Sequence, residues 1–471
     1  MASEVGPRLL YRSTEVFCEI NWQSEQPLVR WNLTMKHFSS AAIFFCVATC
    51  AVADDWPQWG GPQGDIVWRE SGIVDTLPTD GLLPRVWSAP VGEGYSGPAV
   101  AEGKVYLTDR IHADRNERIL CFDAQSGTQL WKHEYAARYN TIKYPAGPRS
   151  TPVVDEGRVF TIGAEGRLFC LDTESGDEIW KADFQADYGT KLPVWGMAAS
   201  PLVDGEKLIT LVGGSDGALI VAFDKASGKE IWRALDDGEI GYCPPVILEF
   251  GGRRQLIVWH PAAISSLDPE TGSVIWEVPW AIKYGLSIPM PRQVDNHLFF
   301  TAFYDGPMML QVGADSAEIV WRGKGTSEQD TDGLHSIMPT PWVNRDHIFG
   351  VCSYGQLRGL NAKTGERLWE TLEATGSGRW WNAFIIPHQP AEQTESASER
   401  FFIHNEQGDL IIAGLSADGY NEISRARLVE PTRKVQRRMT IWSHPAFAMK
   451  SVFARNDKEL VRVNLAAQAV R

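Results

Sequence analysis

Arg149, Arg379, Trp195 and Trp380 have the plainest capacity for binding chemistry in this chain. A guanidinium forks onto a carboxylate or phosphate with two parallel bonds, and an indole face stacks on a flat ring. Tyr95, Tyr242, Tyr354, Glu406 and the histidines His260, His335 and His444 are further candidates. None of them stands in a spacing that makes a reaction by itself. The histidines are scattered and lack metal-ligand spacing such as H-E-x-x-H, so no metal site is expected. No G-x-S-x-G elbow, P-loop or C-x-x-C-H occurs, which leaves hydrolase, nucleotide triphosphatase and c-type haem readings without support and no residue assigned to catalysis. Each candidate also has a structural reading: an arginine at a rim pairs with a neighbouring acid, and a tryptophan packs. Only a fold that brings these residues together gives them a joint function.

That fold is written in a repeat. The segments LCFDAQSGTQLW, FCLDTESGDEIW, VAFDKASGKEIW, SSLDPETGSVIW and RGLNAKTGERLW end at Trp131, Trp180, Trp232, Trp276 and Trp369 and superpose without gaps. A degenerate copy ends at Trp321, with Gly313 where the others have Asp or Asn and Ala317 where they have Gly. Successive tryptophans are 49, 52, 44, 45 and 48 residues apart. Each copy alternates apolar residues into an Asp-x-x-Ser/Thr-Gly turn and out again, which predicts a β-hairpin. The Asp or Asn oxygen bonds backbone amides inside the turn, and Gly takes the positive φ that closes it, so Ala317 should strain or reshape its turn. Another strand pair precedes each hairpin. Four strands at this period predict a propeller blade, with the repeat tryptophan as a wedge between blades. Residues 382–430 and 443–465 supply two less regular blades. Pro84–Val91, carrying Trp87, is expected to complete the last of them and so remove its open edge. The prediction is an all-β, eight-bladed propeller of antiparallel four-stranded blades over 84–471, or seven blades if 382–430 is misjudged.

Composition narrows the function. With 45 basic against 59 acidic residues the net charge is −14, which argues against nonspecific binding to nucleic acid. Met35-Lys36-His37, the apolar run AAIFFCVATCAV and an A-x-A site at Ala51-Val52-Ala53 predict a secretory signal over 35–53. The run is too short to span a bilayer as a helix. Residues 1–34 read as an upstream extension ahead of the true start, and 54–83 as a lead segment. The mature chain would be periplasmic or secreted, without a transmembrane segment, and would keep Cys121, Cys170, Cys243 and Cys352.

The repeat resembles the quinoprotein-type propeller, whose unit ends in A-x-D-x-x-T-G-x-x-x-W. WPQWGGP, GEGYSGPAV, YPAGPRSTPVV, WSHPAFA and RNDKE resemble secreted repeat proteins that planctomycete-type bacteria carry in many copies. The resemblance implies one of two activities: a dehydrogenase using pyrroloquinoline quinone (PQQ) with calcium, or a non-catalytic scaffold like the outer-membrane assembly lipoprotein. The alcohol-oxidising members have a disulfide between adjacent cysteines, and this chain has no adjacent pair.

The repeat register places two loop sets on one face. Loops entering each first strand bring Tyr95, Arg149, Trp195, Tyr242, Ser287, His335, Arg379, Trp380 and His444. Loops between second and third strands bring Glu165, Asp216, His260, Tyr304, Asp305, Tyr354, Glu406 and Arg455-Asn456-Asp457. The expectation is a non-catalytic module that binds a small molecule, polysaccharide or envelope protein through this funnel face. The alternatives are a PQQ-dependent alcohol or sugar dehydrogenase and an outer-membrane assembly scaffold. The run Arg433–Arg438 is expected to be an exposed loop, and Arg455-Asn456-Asp457 a solvated tight turn.

Overall fold

The computed structural model describes residues 55–78, 81–236, 238–390 and 400–467. The expected extension and signal segment lie outside the described residues. Eight four-stranded antiparallel sheets follow one another along the chain, each ordered first to fourth strand. Blades 1 to 7 run from Ala99 to Ala136, Val153 to Asp183, Leu202 to Ala234, Val246 to Pro279, Arg292 to Arg322, Trp342 to Thr371 and Ala383 to Arg427. Blade 8 takes three strands from Ala446 to Asn464 and its fourth, β1 (Arg85–Pro90), from the other end of the chain. No helix among the described residues is long and apolar enough to cross a membrane.

Every fourth strand carries a bulge one residue before the repeat position, which is a tryptophan in all blades but the seventh, as where Cys121 pairs with Trp131 but Phe122 pairs with Gln129. The extra residue turns outward, so Leu130, Ile179, Ile231 and Leu368 are exposed while Trp131, Trp180 and Trp232 are buried. Each buried indole then lies on the next blade. Trp131 donates to the Thr173 carbonyl at 3.0 Å and Trp180 to the Lys225 carbonyl at 3.0 Å. The turn glycine makes the approach possible: a Cβ on Gly176, which has φ +74°, would sit 2.6 Å from Trp131 Cδ2. The repeat tryptophan thus packs between neighbouring blades.

The degenerate copy reshapes its turn as expected. Gly313 N–H bonds the Ser316 carbonyl at 2.8 Å, and Ala317 begins the fourth strand. Trp276 consequently does not reach that turn. Its indole donates to Gln255 Oε1 at 2.7 Å, and Gln255 Nε2 donates on to the carbonyls of Gly313 at 2.8 Å and Ala314 at 3.2 Å. Blade 7 lacks the tryptophan altogether. Ser424 occupies its register, and the lead segment fills the gap, with Leu77 buried and its N–H on Ser424 Oγ at 2.9 Å.

The lead segment also crosses the central channel. Trp56 bridges to Val100 in blade 1, and the Asp65 carbonyl accepts from Arg292 Nη1 of blade 5 at 2.7 Å. Blades 1 and 5 face each other in a ring of eight, so residues 56–65 span the channel. Trp68 then wedges between blades 7 and 8 against Phe402 and Phe447.

Candidate functional site

On one side of this crossing segment lies a cavity of about 430 Å3. All eight incoming loops line it, and Trp59 of the lead segment forms part of its wall. Tyr95, Arg149, Trp195, Tyr242, Arg379, Trp380 and His444, expected from the register, are in the lining. Trp59, Tyr144, Tyr284 and Trp442 join them and were not anticipated. The first comes from outside the repeat; the other three sit deep in incoming loops whose length breaks the register.

His260, His335, Tyr354 and Glu406 require correction, because none of them lines the cavity. His260 is buried with Nε2 3.1 Å from Ser265 Oγ, and His335 is buried with Nδ1 3.3 Å from the Phe303 carbonyl. Tyr354 lies near Glu328 and Gln329. Of the second loop set only Tyr304 reaches the lining. The physical reason is that the incoming loops lie over those loops and are held by their acids. Glu165 accepts from Arg138 N at 3.1 Å and Tyr139 N at 2.8 Å, and Asp305 from Lys283 N at 3.0 Å. Glu406 accepts from Asn382 N at 3.3 Å and from the Trp442 indole at 2.9 Å, and is paired with Arg438. These carboxylates position the lining instead of belonging to it.

The basic run is likewise not a loose loop. Arg433–Val435 and Arg438–Thr440 form a two-stranded hairpin beside the mouth, with Arg433 on Asp457 and 4.3 Å over the Tyr95 ring. Arg455 is buried, donating to the Thr108 carbonyl at 3.0 Å and the Gly92 carbonyl, so the turn, in which Asn456 Oδ1 accepts from Glu459 N at 2.8 Å, is not a solvated one.

The loop over 137–149 delivers Tyr144 and Arg149. Beneath it, buried Glu117 accepts the hydroxyls of Tyr135 and Tyr139 and the Ala164 N–H, while Arg110 donates to the Pro145 carbonyl at 2.7 Å. Burial pushes the Glu117 carboxyl above the usual carboxylate range despite these bonds. Arg149 donates to the carbonyls of Gly147, Lys143 and Tyr144 at 2.7, 2.9 and 2.7 Å and lies 5.0 Å over the Tyr95 ring. Arg379 instead pairs with Glu328 at 2.7 Å and stacks 4.8 Å over Trp380, whose φ is +65°. Burial lowers the Arg379 pKa, but the Glu328 bond and charge outweigh it and the net shift is upward.

At the floor, His444 packs edge-on against Trp59 at 4.1 Å, close enough to Gly97 that a Cβ there would sit 2.2 Å from the ring. Burial pushes its pKa down to about 3, so the ring is neutral near pH 7. Its Nδ1–H donates to the Pro445 carbonyl at 3.2 Å, which leaves Nε2 to accept the Thr151 hydroxyl at 2.7 Å.

Comparison with known proteins agrees with this architecture. A family model described as outer membrane protein assembly factor BamB matches residues 115–256 and 260–470. The chain belongs to that family. The BamB of Shewanella oneidensis is 21% identical over 307 residues, 61% of this chain, and the match spans 61% of that relative. The crystal structure of BamB from Moraxella catarrhalis superposes with TM-score 0.55 at 16% identity, covering 83% of this chain and 100% of the other. The computationally designed protein Ika8 gives TM-score 0.50 at 10% identity, over 82% of this chain and 100% of its own. At such identities the structural likeness speaks for the fold.

The residues do not fit a quinone held with calcium. No carboxylate lines the cavity, and no three His, Cys, Asp or Glu side chains meet as a cation site among the described residues. The four described cysteines are separate and buried, with the Cys121 and Cys170 thiols pushed up to about 12 by burial.

Proposed function

We propose that this chain is an exported, non-catalytic propeller that acts as a binding module of the cell envelope, with the funnel face as its recognition surface. The observation that carries the reading is the convergence of all eight incoming loops on one cavity walled by aromatic rings and two arginines. Ligand sites are concave and mostly apolar, with a few placed polar groups, and volumes of about 300–1,000 Å3 are usual. Rigid aromatic side chains supply contact area at low entropic cost. Membership of a family described as an outer membrane assembly factor supports an envelope protein as partner. No carboxylate stands in the lining to act as a general base or to hold a cation, which favours binding over oxidation.

The test has two arms. Purified protein mixed with PQQ, calcium and a panel of alcohols and sugars is expected to leave a redox dye oxidised. A photo-crosslinker in place of Tyr284, exposed at the mouth, is expected to transfer label in host envelopes, whereas one in place of Ile179 on the outer rim is not. Dye reduction, or labelling from the rim alone, would overturn the reading.

A further inference from the structure

The lining has an asymmetric chemistry. Its charged side chains are two arginines, and Arg379 already has Glu328 as its partner at 2.7 Å. Arg149 is a cation whose guanidinium bonds are all to backbone carbonyls, and no carboxylate lies in the lining to balance it. Burial lowers its pKa, but an arginine stays protonated. A cationic ligand finds no carboxylate in the lining, and a purely apolar one leaves Arg149 without a partner of opposite charge. An occupant that brings negative charge complements this lining.

It must also bring a ring with polar edges. Tyr144 lies 6.2 Å from Trp380 and 6.0 Å from Trp442, and Trp195 lies 5.7 Å from Tyr242. These faces suit the apolar C–H side of a sugar. The phenols of Tyr144 and Tyr284, both exposed, offer hydroxyls at the mouth, which suit the hydroxyl rim of a sugar and have no counterpart in a plain aromatic acid. We infer that the funnel cavity takes a sugar acid, a saccharide ring bearing a carboxylate, with Arg149 facing the charge and the aromatic wall facing the ring. The inference rests on the funnel face being the recognition surface.

The experiment titrates tryptophan fluorescence of the full chain with digalacturonate, its methyl ester, the matching neutral disaccharide and benzoate. The acid is expected to bind at least tenfold more tightly than its ester and the neutral sugar. Arg149→Gln should erase that preference, while Arg149→Lys retains part of it. The ester comparison changes only the ligand and so holds even where a variant fails to fold. Equal affinity for acid and ester, or binding of benzoate and of no saccharide, overturns the inference. In either case label transfer from position 284 still reports separately on the funnel face.

Discussion

At the scale of single residues, interblade cohesion depends on where one indole N–H goes. Trp131 and Trp180 find a carbonyl of the next blade directly, whereas Trp276 reaches it through Gln255. Gln255 is fully buried, and Ser266 Oγ also donates to its Oε1 at 2.8 Å. Replacing it with Leu keeps the volume but strands the Trp276 donor and two turn carbonyls. Each buried unmet group costs about 1–3 kcal/mol. Gln255→Leu should therefore lower unfolding stability by about 2 kcal/mol or more in urea, and Gln293→Leu, at a half-exposed site, by much less. Equal small losses would show that Gln255 does not act as the relay.

Elements outside the repeat decide what the channel is. The lead segment crosses the channel and supplies Trp59 to the cavity wall, and its anchor is Trp68. That side chain is 1% exposed, donates to Glu70 at 3.0 Å, and its backbone bonds the Pro387 carbonyl and the Gln389 N–H at 2.9 Å each. Large-to-small changes of such aromatics cost about 3–5 kcal/mol. Trp68→Ala should lose about that much, and should make the indole of Trp59 more accessible to an aqueous quencher such as iodide. A loss of stability with quenching unchanged would separate the anchor from the wall of the cavity. Most of the candidate site was legible because incoming loops follow the repeat register. Trp59, Trp442 and Tyr284 were not, since a lead segment and long loops have no register to read. Glu406 was misplaced because the register put it on the right face without showing that Arg438 and Trp442 would cover it.

For the whole molecule, closure of the ring couples the two ends of the chain. Arg85 meets Glu459 with two bonds, at 2.5 and 2.8 Å, across the pairing of β1 with the last strand. Both side chains are about a quarter exposed, so the pair is worth about 1 kcal/mol or less, but its geometry exists only in the closed ring. Reversing either charge should lower the thermal midpoint, and Arg85→Glu with Glu459→Arg should recover part of the loss. A double-mutant cycle with no coupling would mean that this edge is not held by the first strand in solution.

The sequence by itself determined the blades, because a hairpin's turn chemistry and two-residue alternation are local and recur in register. It also determined the closing strand, since Trp87 repeats the spacing of its successors. Tertiary structure alone decided which loop residues share a cavity, since loops of different length stack over one another and the upper set takes the lining. It decided as well that the lead segment crosses the channel, since it spans from blade 1 to blade 5 through contacts between residues far apart in the chain. Such distant pairings depend on shape and burial, which no local spacing encodes.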